Sequence, residues 1–106
     1  MDMITITDDR ITAYVESLMP RSGSLLRRLE EEAQAEGIPI IRPAAAAFLR
    51  MLCEIQNPRN ILEIGTAIGY STIHMAEAAA RAEVVTIEID SERAARAALN
   101  FQEAGL

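Results

Sequence analysis

Residues 61–71 read ILEIGTAIGYS, and the reading of this stretch decides the fold. An apolar run interrupted by one acid, Glu63, leads into two glycines, Gly65 and Gly69, and then into Tyr70 and Ser71. A short apolar run bounded by a turn on each side predicts a buried β-strand over NILEI, residues 60–64. Glycine in the turn permits positive φ and lets a ligand come close to the backbone. A helix starting near Tyr70 would aim its free N–H groups at the turn, a favourable place for a carboxylate or a phosphate. A tight bend with no ligand would use the same glycines, so the turn alone leaves both readings open.

The next strand separates them. EVVTIEI, residues 83–89, is β-branched and strand-like, and near its end stands Glu88, 23 positions after Gly65. In nucleotide-binding α/β folds an acid at about this spacing accepts hydrogen bonds from ribose hydroxyls. Turn, helix N-terminus and acid together suit a cofactor that contains adenosine. The dinucleotide pattern G-x-G-x-x-G needs a glycine where this chain has Ala67, which disfavours NAD and FAD. A ligand with a ribose and a carboxylate but no phosphate fits better, and S-adenosylmethionine is such a ligand.

Outward from the turn, the spacing predicts an α/β chain in two regions. Residues 1–57 read as helical. Asp8 or Asp9 can cap a first helix running to Leu18, with Ile11, Tyr14, Val15 and Leu18 on one face. Ser22 or Ser24 can cap a second through Glu36, stopped by Gly37. After the extended link IPII, Pro43 opens a third helix to about Ile55, ended by Asn57 and Pro58. Residues 58–106 read as β-α-β-α: the NILEI strand, a helix from Tyr70 to Arg81, the second strand, and a helix capped by Asp90 or Ser91 that stops at Gly105. A crossover this short makes the two strands parallel.

The 106 residues carry a net charge of −6, and all ten cations are arginine. That balance disfavours a general nucleic-acid binder. Arg21, Arg27 and Arg28 lie beside Glu30, Glu31 and Glu32 and read as a solvated face of mixed charge. No apolar run is long enough to span a bilayer, and the N-terminus shows no basic-then-apolar leader, so neither a membrane nor secretion is expected. Cys53 has no possible disulfide partner in the chain and fits a reducing cytoplasm, as a buried thiol among Leu49, Met51 and Leu52. His74, the single histidine, reads as a packed or surface residue with no assigned role.

ILEIGTAIGYSTIHMA followed by VVTIEID resembles the class I S-adenosylmethionine-dependent O-methyltransferases of the catechol and caffeoyl-CoA type. ITAYVESLMPRSGSLLRRLEEEAQAEGIPII is similar to the N-terminal helices of the bacterial branch that includes tRNA 5-hydroxyuridine methyltransferase. The resemblance implies the first half of a Rossmann-like methyltransferase fold. It implies that Glu63, Gly65, Thr66 and Ala67 line the methionine and adenosine side of the turn, and that Gly69, Tyr70 and Ser71 close it, with the Ser71 hydroxyl and N–H near the methionine carboxylate. Glu88 would take the ribose hydroxyls, Ile89 would border the adenine, and Ile41 would cover the cofactor. The acceptor would be 5-hydroxyuridine in tRNA or a small catechol-like aromatic. The family's sheet has seven strands, of which two are expected here. The residues that bind its divalent metal, Mg, the general base and the acceptor pocket belong to later strands. No catalytic residue and no metal ligand is therefore assigned in this chain.

Two parallel strands rarely stand alone. The incomplete parallel sheet would expose apolar strand edges, which predicts a homodimer or an intertwined oligomer.

Overall fold

The structure is a computed structural model that describes residues 8–106. Its elements follow in the order α1 (Asp9–Ser17), α2 (Ser24–Glu36), α3 (Pro43–Gln56), β1 (Asn60–Ile64), α4 (Tyr70–Ala78), β2 (Glu83–Ile87) and α5 (Ser91–Glu103). The predicted α/β order holds: N-terminal helices, then β-α-β-α. β1 and β2 pair in parallel, with Asn60 opposite Glu83 and Ile64 opposite Ile87. The reading of the N-terminus as free of a leader falls on residues 1–7, outside the described residues.

The local chemistry explains most boundaries. Asp8 caps α1 by accepting from the Arg10 N–H at 2.8 Å. Pro43 occupies the first turn of α3, and Asn57 ends that helix in the left-handed region at φ +45°. Asp90 caps α5 through the N–H groups of Glu92 and Arg93, both at 3.0 Å.

Four expectations need correction. Neither serine caps α2: its cap is Gly23 without a side-chain bond, and the Ser22 hydroxyl donates instead to Glu30. α4 ends at Ala78, three residues before Arg81, because Ala79 leaves helical geometry and the chain turns toward β2. β2 ends at Ile87, so Glu88 and Ile89 lie beyond the strand. The buried strand at 60–64 is covered on one face only. Ile61 packs with Cys53, Met75 and Ala79 beneath the sheet. On the opposite face Leu62 and Ile64 are 66% and 75% exposed, because no described element packs there.

The main core joins the two regions of the chain. Leu26, Leu29 and Ala33 of α2 pack with Ala46 of α3, with Ile68 of the turn, and with Tyr70 and Ile73 of α4. Phe101 of α5 and Ala104, which caps that helix, close it from the other side. The turn after β1 thus rests on helices from both halves.

Candidate cofactor site

β1 delivers the chain into a turn that bends sharply. Gly65, Ala67 and Gly69 all have positive φ, at +96°, +49° and +92°. A Cβ on Gly69 would stand 2.6 Å from the Phe101 ring, so only glycine fits there. Gly65 differs: no neighbouring heavy atom lies within 4 Å of the place a Cβ would take. The backbone of Gly65 is therefore open to an incoming group.

Beneath the turn lies a chain of hydroxyls ending on one carboxylate. The side chain of Glu63 accepts from Ser71 at 2.5 Å, from Thr72 at 2.5 Å and from Thr86 at 2.7 Å. The Thr86 proton is committed to Glu63, so Thr66, 2.5 Å away, donates to Thr86. Thr66 and Thr72 are each 4% exposed, so these hydroxyls find their partners inside the protein. The network ties the end of β1 to the start of α4 and to β2.

Glu88 fixes the far lip. One carboxylate oxygen accepts from the Ala67 N–H at 2.9 Å, and the other accepts from the Asp90 N–H at 3.3 Å. Each oxygen keeps a second lone pair for another donor. An acid that both shapes the turn and retains acceptor capacity is suited to a diol such as a ribose. A cleft of ≈ 360 Å³ opens beside it, lined among others by Thr66, Thr86, Ala97 and Phe101. With Gly65 open, Glu88 holding spare acceptor capacity and the N-terminus of α4 facing the turn, these residues fit a ligand with ribose and carboxylate ends.

The other expected residues are placed as follows. Ser71 directs its hydroxyl to Glu63, leaving its position in the first turn of α4 for contact through the backbone. The side chain of Tyr70 is 1% exposed and runs the opposite way, donating to Glu30 of α2 at 2.6 Å. Burial, and then the Glu30 carboxylate, holds the Tyr70 hydroxyl well above the usual phenol range. Ile41 packs against the main core in the link before α3. Ile89 is fully exposed beyond Glu88.

Three supporting residues escape a reading of the turn alone. Asn100, buried on α5, donates to the Ile68 carbonyl at 2.8 Å and holds the middle of the turn. Phe101 sets the room available at Gly69. Thr86 lies opposite Glu63 in the sheet register and carries the second link of the hydroxyl chain. A signal for each was present. Thr86 and Glu63 are polar at inward-facing positions of adjacent strands, and Asn100 interrupts the inward stripe of Ala97, Phe101 and Ala104.

His74 is buried on α4, with its ring edge-on to Tyr70 at 4.7 Å. Its Nδ1 lies 3.5 Å from an Arg50 nitrogen, and its Nε2 is buried with no hydrogen-bond partner among the described residues. Burial, and then the Arg50 charge, keeps the His74 pKa below its ordinary value, with Glu77 and Glu30 opposing. Burial likewise pushes the Cys53 thiol up. Among the described residues, no three His, Cys, Asp or Glu side chains come together to hold a metal ion. No helix among them is long and apolar enough to cross a membrane.

The fold recurs in known proteins. The O-methyltransferase family profile matches residues 17–106. The chain is 34% identical over 101 residues to the catechol O-methyltransferase of Niastella koreensis, covering 92% of this chain and 46% of that protein. The structure superposes on an O-methyltransferase from Bacillus cereus, solved in complex with SAH, with a TM-score of 0.80 and 35% identity over 92% of this chain and 46% of that one. It superposes on the O-methyltransferase TomG from Streptomyces achromogenes, solved with SAM, with a TM-score of 0.79 and 30% identity over 91% of this chain and 44% of that one. The chain thus spans about half the length of these relatives. A match over residues 17–106, together with a shared fold, shows that this chain belongs to the O-methyltransferase family.

Proposed function

We propose that this chain is the cofactor-binding portion of an S-adenosylmethionine-dependent O-methyltransferase. One observation carries the reading: Gly65 lies open between the N-terminus of α4 and the Glu88 carboxylate, over the buried hydroxyl chain on Glu63. Relatives solved with SAH and SAM support it. Glu88 would accept from the ribose hydroxyls, the turn around Gly65 and Ala67 would receive the rest of the nucleoside, and the first N–H groups of α4 would face the methionine carboxylate. Ile89 would border the adenine, and Ile41 would cover the cofactor.

In the whole enzyme the methyl group would leave the sulfonium sulfur for an acceptor oxygen. The C–S bond would break as an O–CH₃ bond formed, the acceptor proton would pass to a base, and S-adenosylhomocysteine would depart. The acceptor is proposed to be a catechol-like aromatic hydroxyl or 5-hydroxyuridine in tRNA. Similarity to a catechol O-methyltransferase supports the first. The base and the ligands of a divalent metal such as Mg would come from the second half of the family's fold, and a cytoplasmic setting fits the unpaired Cys53.

The two-stranded sheet leaves one edge of each strand unpaired among the described residues, which supports a second reading for the chain acting alone: a binding module without turnover, pairing through those edges into a homodimer or intertwined oligomer. Calorimetry with S-adenosylhomocysteine and with NAD tests the cofactor assignment, and binding of NAD alone would refute it. Methylation assays on catechol and on hydroxyuridine-containing tRNA separate an enzyme from a binding module. Cofactor binding without methyl transfer to either acceptor would leave the second reading standing.

A further inference from the structure

α4 begins directly after the glycine turn, and its cap, Gly69, gives it no side-chain bond. The side chains of its first three residues each turn to a carboxylate instead. Ser71 and Thr72 donate to Glu63 of β1, and Tyr70 donates to Glu30 of α2 at 2.6 Å. The N–H groups of Tyr70, Ser71 and Thr72 are left without a partner among the described residues. A bound carboxylate needs those groups held in place, and Glu63 ties them to the sheet alone. Glu30 supplies the tie to the N-terminal helices. Among the described residues, it makes the one hydrogen bond from α1, α2 or α3 to the first turn of α4. Its accepting oxygen, Oε1, also takes the Ser22 hydroxyl at 3.0 Å, which fixes the carboxylate from the link before α2. Burial, and then Glu30 itself, keeps the Tyr70 hydroxyl protonated as a donor.

We infer that Glu30 is a positioning residue for the carboxylate end of the cofactor: through the Tyr70 hydroxyl it sets where the first N–H groups of α4 stand. This role rests on the cofactor reading of the turn. The Tyr70 side chain runs away from the turn toward α2, so the pair acts through the backbone of α4 and not by contact with the ligand. The effect is selective for one end of the ligand. A shift at the start of α4 displaces the donors that face the carboxylate, and a displacement of about 0.5 Å is enough to leave productive geometry. Glu88, the acceptor for the ribose, is held separately by the Ala67 and Asp90 N–H groups and shares no bond with Glu30 or Tyr70. Loss of the Glu30–Tyr70 bond should therefore weaken the carboxylate end and spare the nucleoside end.

Calorimetry with two probes tests this. One is S-adenosylhomocysteine; the other is 5′-methylthioadenosine, which keeps the nucleoside and the thioether and lacks the carboxylate. Tyr70→Phe removes one hydroxyl and keeps the ring, and Glu30→Ala removes the acceptor. Each is expected to raise the Kd for S-adenosylhomocysteine about tenfold, the size of one hydrogen bond to a charged group. Each should leave the Kd for methylthioadenosine within about twofold, as for independent sites. The double variant should lose no more than either single one, since both break the same bond. Equal weakening of the two probes, unchanged affinity for S-adenosylhomocysteine, or additive losses overturn the role of Glu30 and leave the cofactor reading intact. If the wild type binds S-adenosylhomocysteine alone, the additivity of the losses decides. If Glu30→Ala is unfolded by circular dichroism, Tyr70→Phe decides by itself. A wild type that binds neither probe overturns the cofactor reading and the role of Glu30 together.

Discussion

The bare face of β1 and the turn that follows the strand have opposite surroundings. At Leu62 and Ile64 large apolar side chains lie in solvent. At Thr66 and Thr72 small polar side chains are sealed inside, beneath a turn braced by α2, α4 and α5. The difference lies in what each part uses as a partner. The turn draws every partner from this chain: hydroxyls for Glu63, the Asn100 amide for the Ile68 carbonyl, and the Phe101 ring against Gly69. The bare sheet face has no described partner. The geometry of the turn is thus built in locally, whereas one face of the sheet has nothing described packed against it.

The comparison can be broken from the turn side. Gly69→Val should have the largest effect, because a side chain must enter space held by Phe101 while the backbone stays at φ +92°. A loss of about 2–4 kcal/mol in urea unfolding is expected from overpacking and the left-handed backbone together. Wild-type stability in this variant would show that the turn is not braced by α5. Glu63→Leu should cost about 1–3 kcal/mol, since Ser71, Thr72 and Thr86 lose a buried acceptor. Asn100→Ala should cost about 1–2 kcal/mol by stranding the Ile68 carbonyl. Amide exchange in residues 65–69 should quicken in that variant more than in α3, and a uniform change would contradict a local role.

Acid should act on the buried region in the same direction. The folded-state pKa of His74 lies below its ordinary value of 6.5. Above that pH neither state is protonated. As pH falls, the unfolded chain takes up a proton that the folded chain refuses, so stability drops until the folded pKa is reached and then levels. His74→Gln should flatten this slope, and an unchanged slope would place its origin in other groups. The smallest effect on stability is expected for Glu88→Gln, which keeps an acceptor for the Ala67 N–H but loses charge. Its cofactor affinity should fall roughly tenfold, as expected when a charged acceptor is lost from a hydroxyl contact.

Much of this fold was legible because its punctuation is local. Asp8, Gly37, Pro43, Asn57 and Asp90 mark helix ends by their own backbone chemistry. The β-α-β order followed from the change of apolar period at Asn60. Misread features depended on distant partners. Ser22 was available as a cap, but Glu30, eight residues on and within α2, takes its hydroxyl. The stripe of α1 has the spacing of a core face yet lies in solvent, since periodicity says which side is apolar and not what covers it. At the turn, the positive φ of Gly65 and Gly69 was foreseeable from the glycines themselves, and spacing placed Glu88 just after β2. Asn100 and Phe101 act on the turn from about 30 residues away, and only packing brings them there.

Calorimetric titration of the folded chain with S-adenosylhomocysteine tests the built-in cofactor turn most directly. Saturable one-to-one binding, weakened by Glu88→Gln and unaffected by L62K/V85K on the bare sheet face, is the predicted result. A chain that is folded by circular dichroism yet gives no binding heat across several temperatures, or whose binding ignores Glu88→Gln, would contradict it.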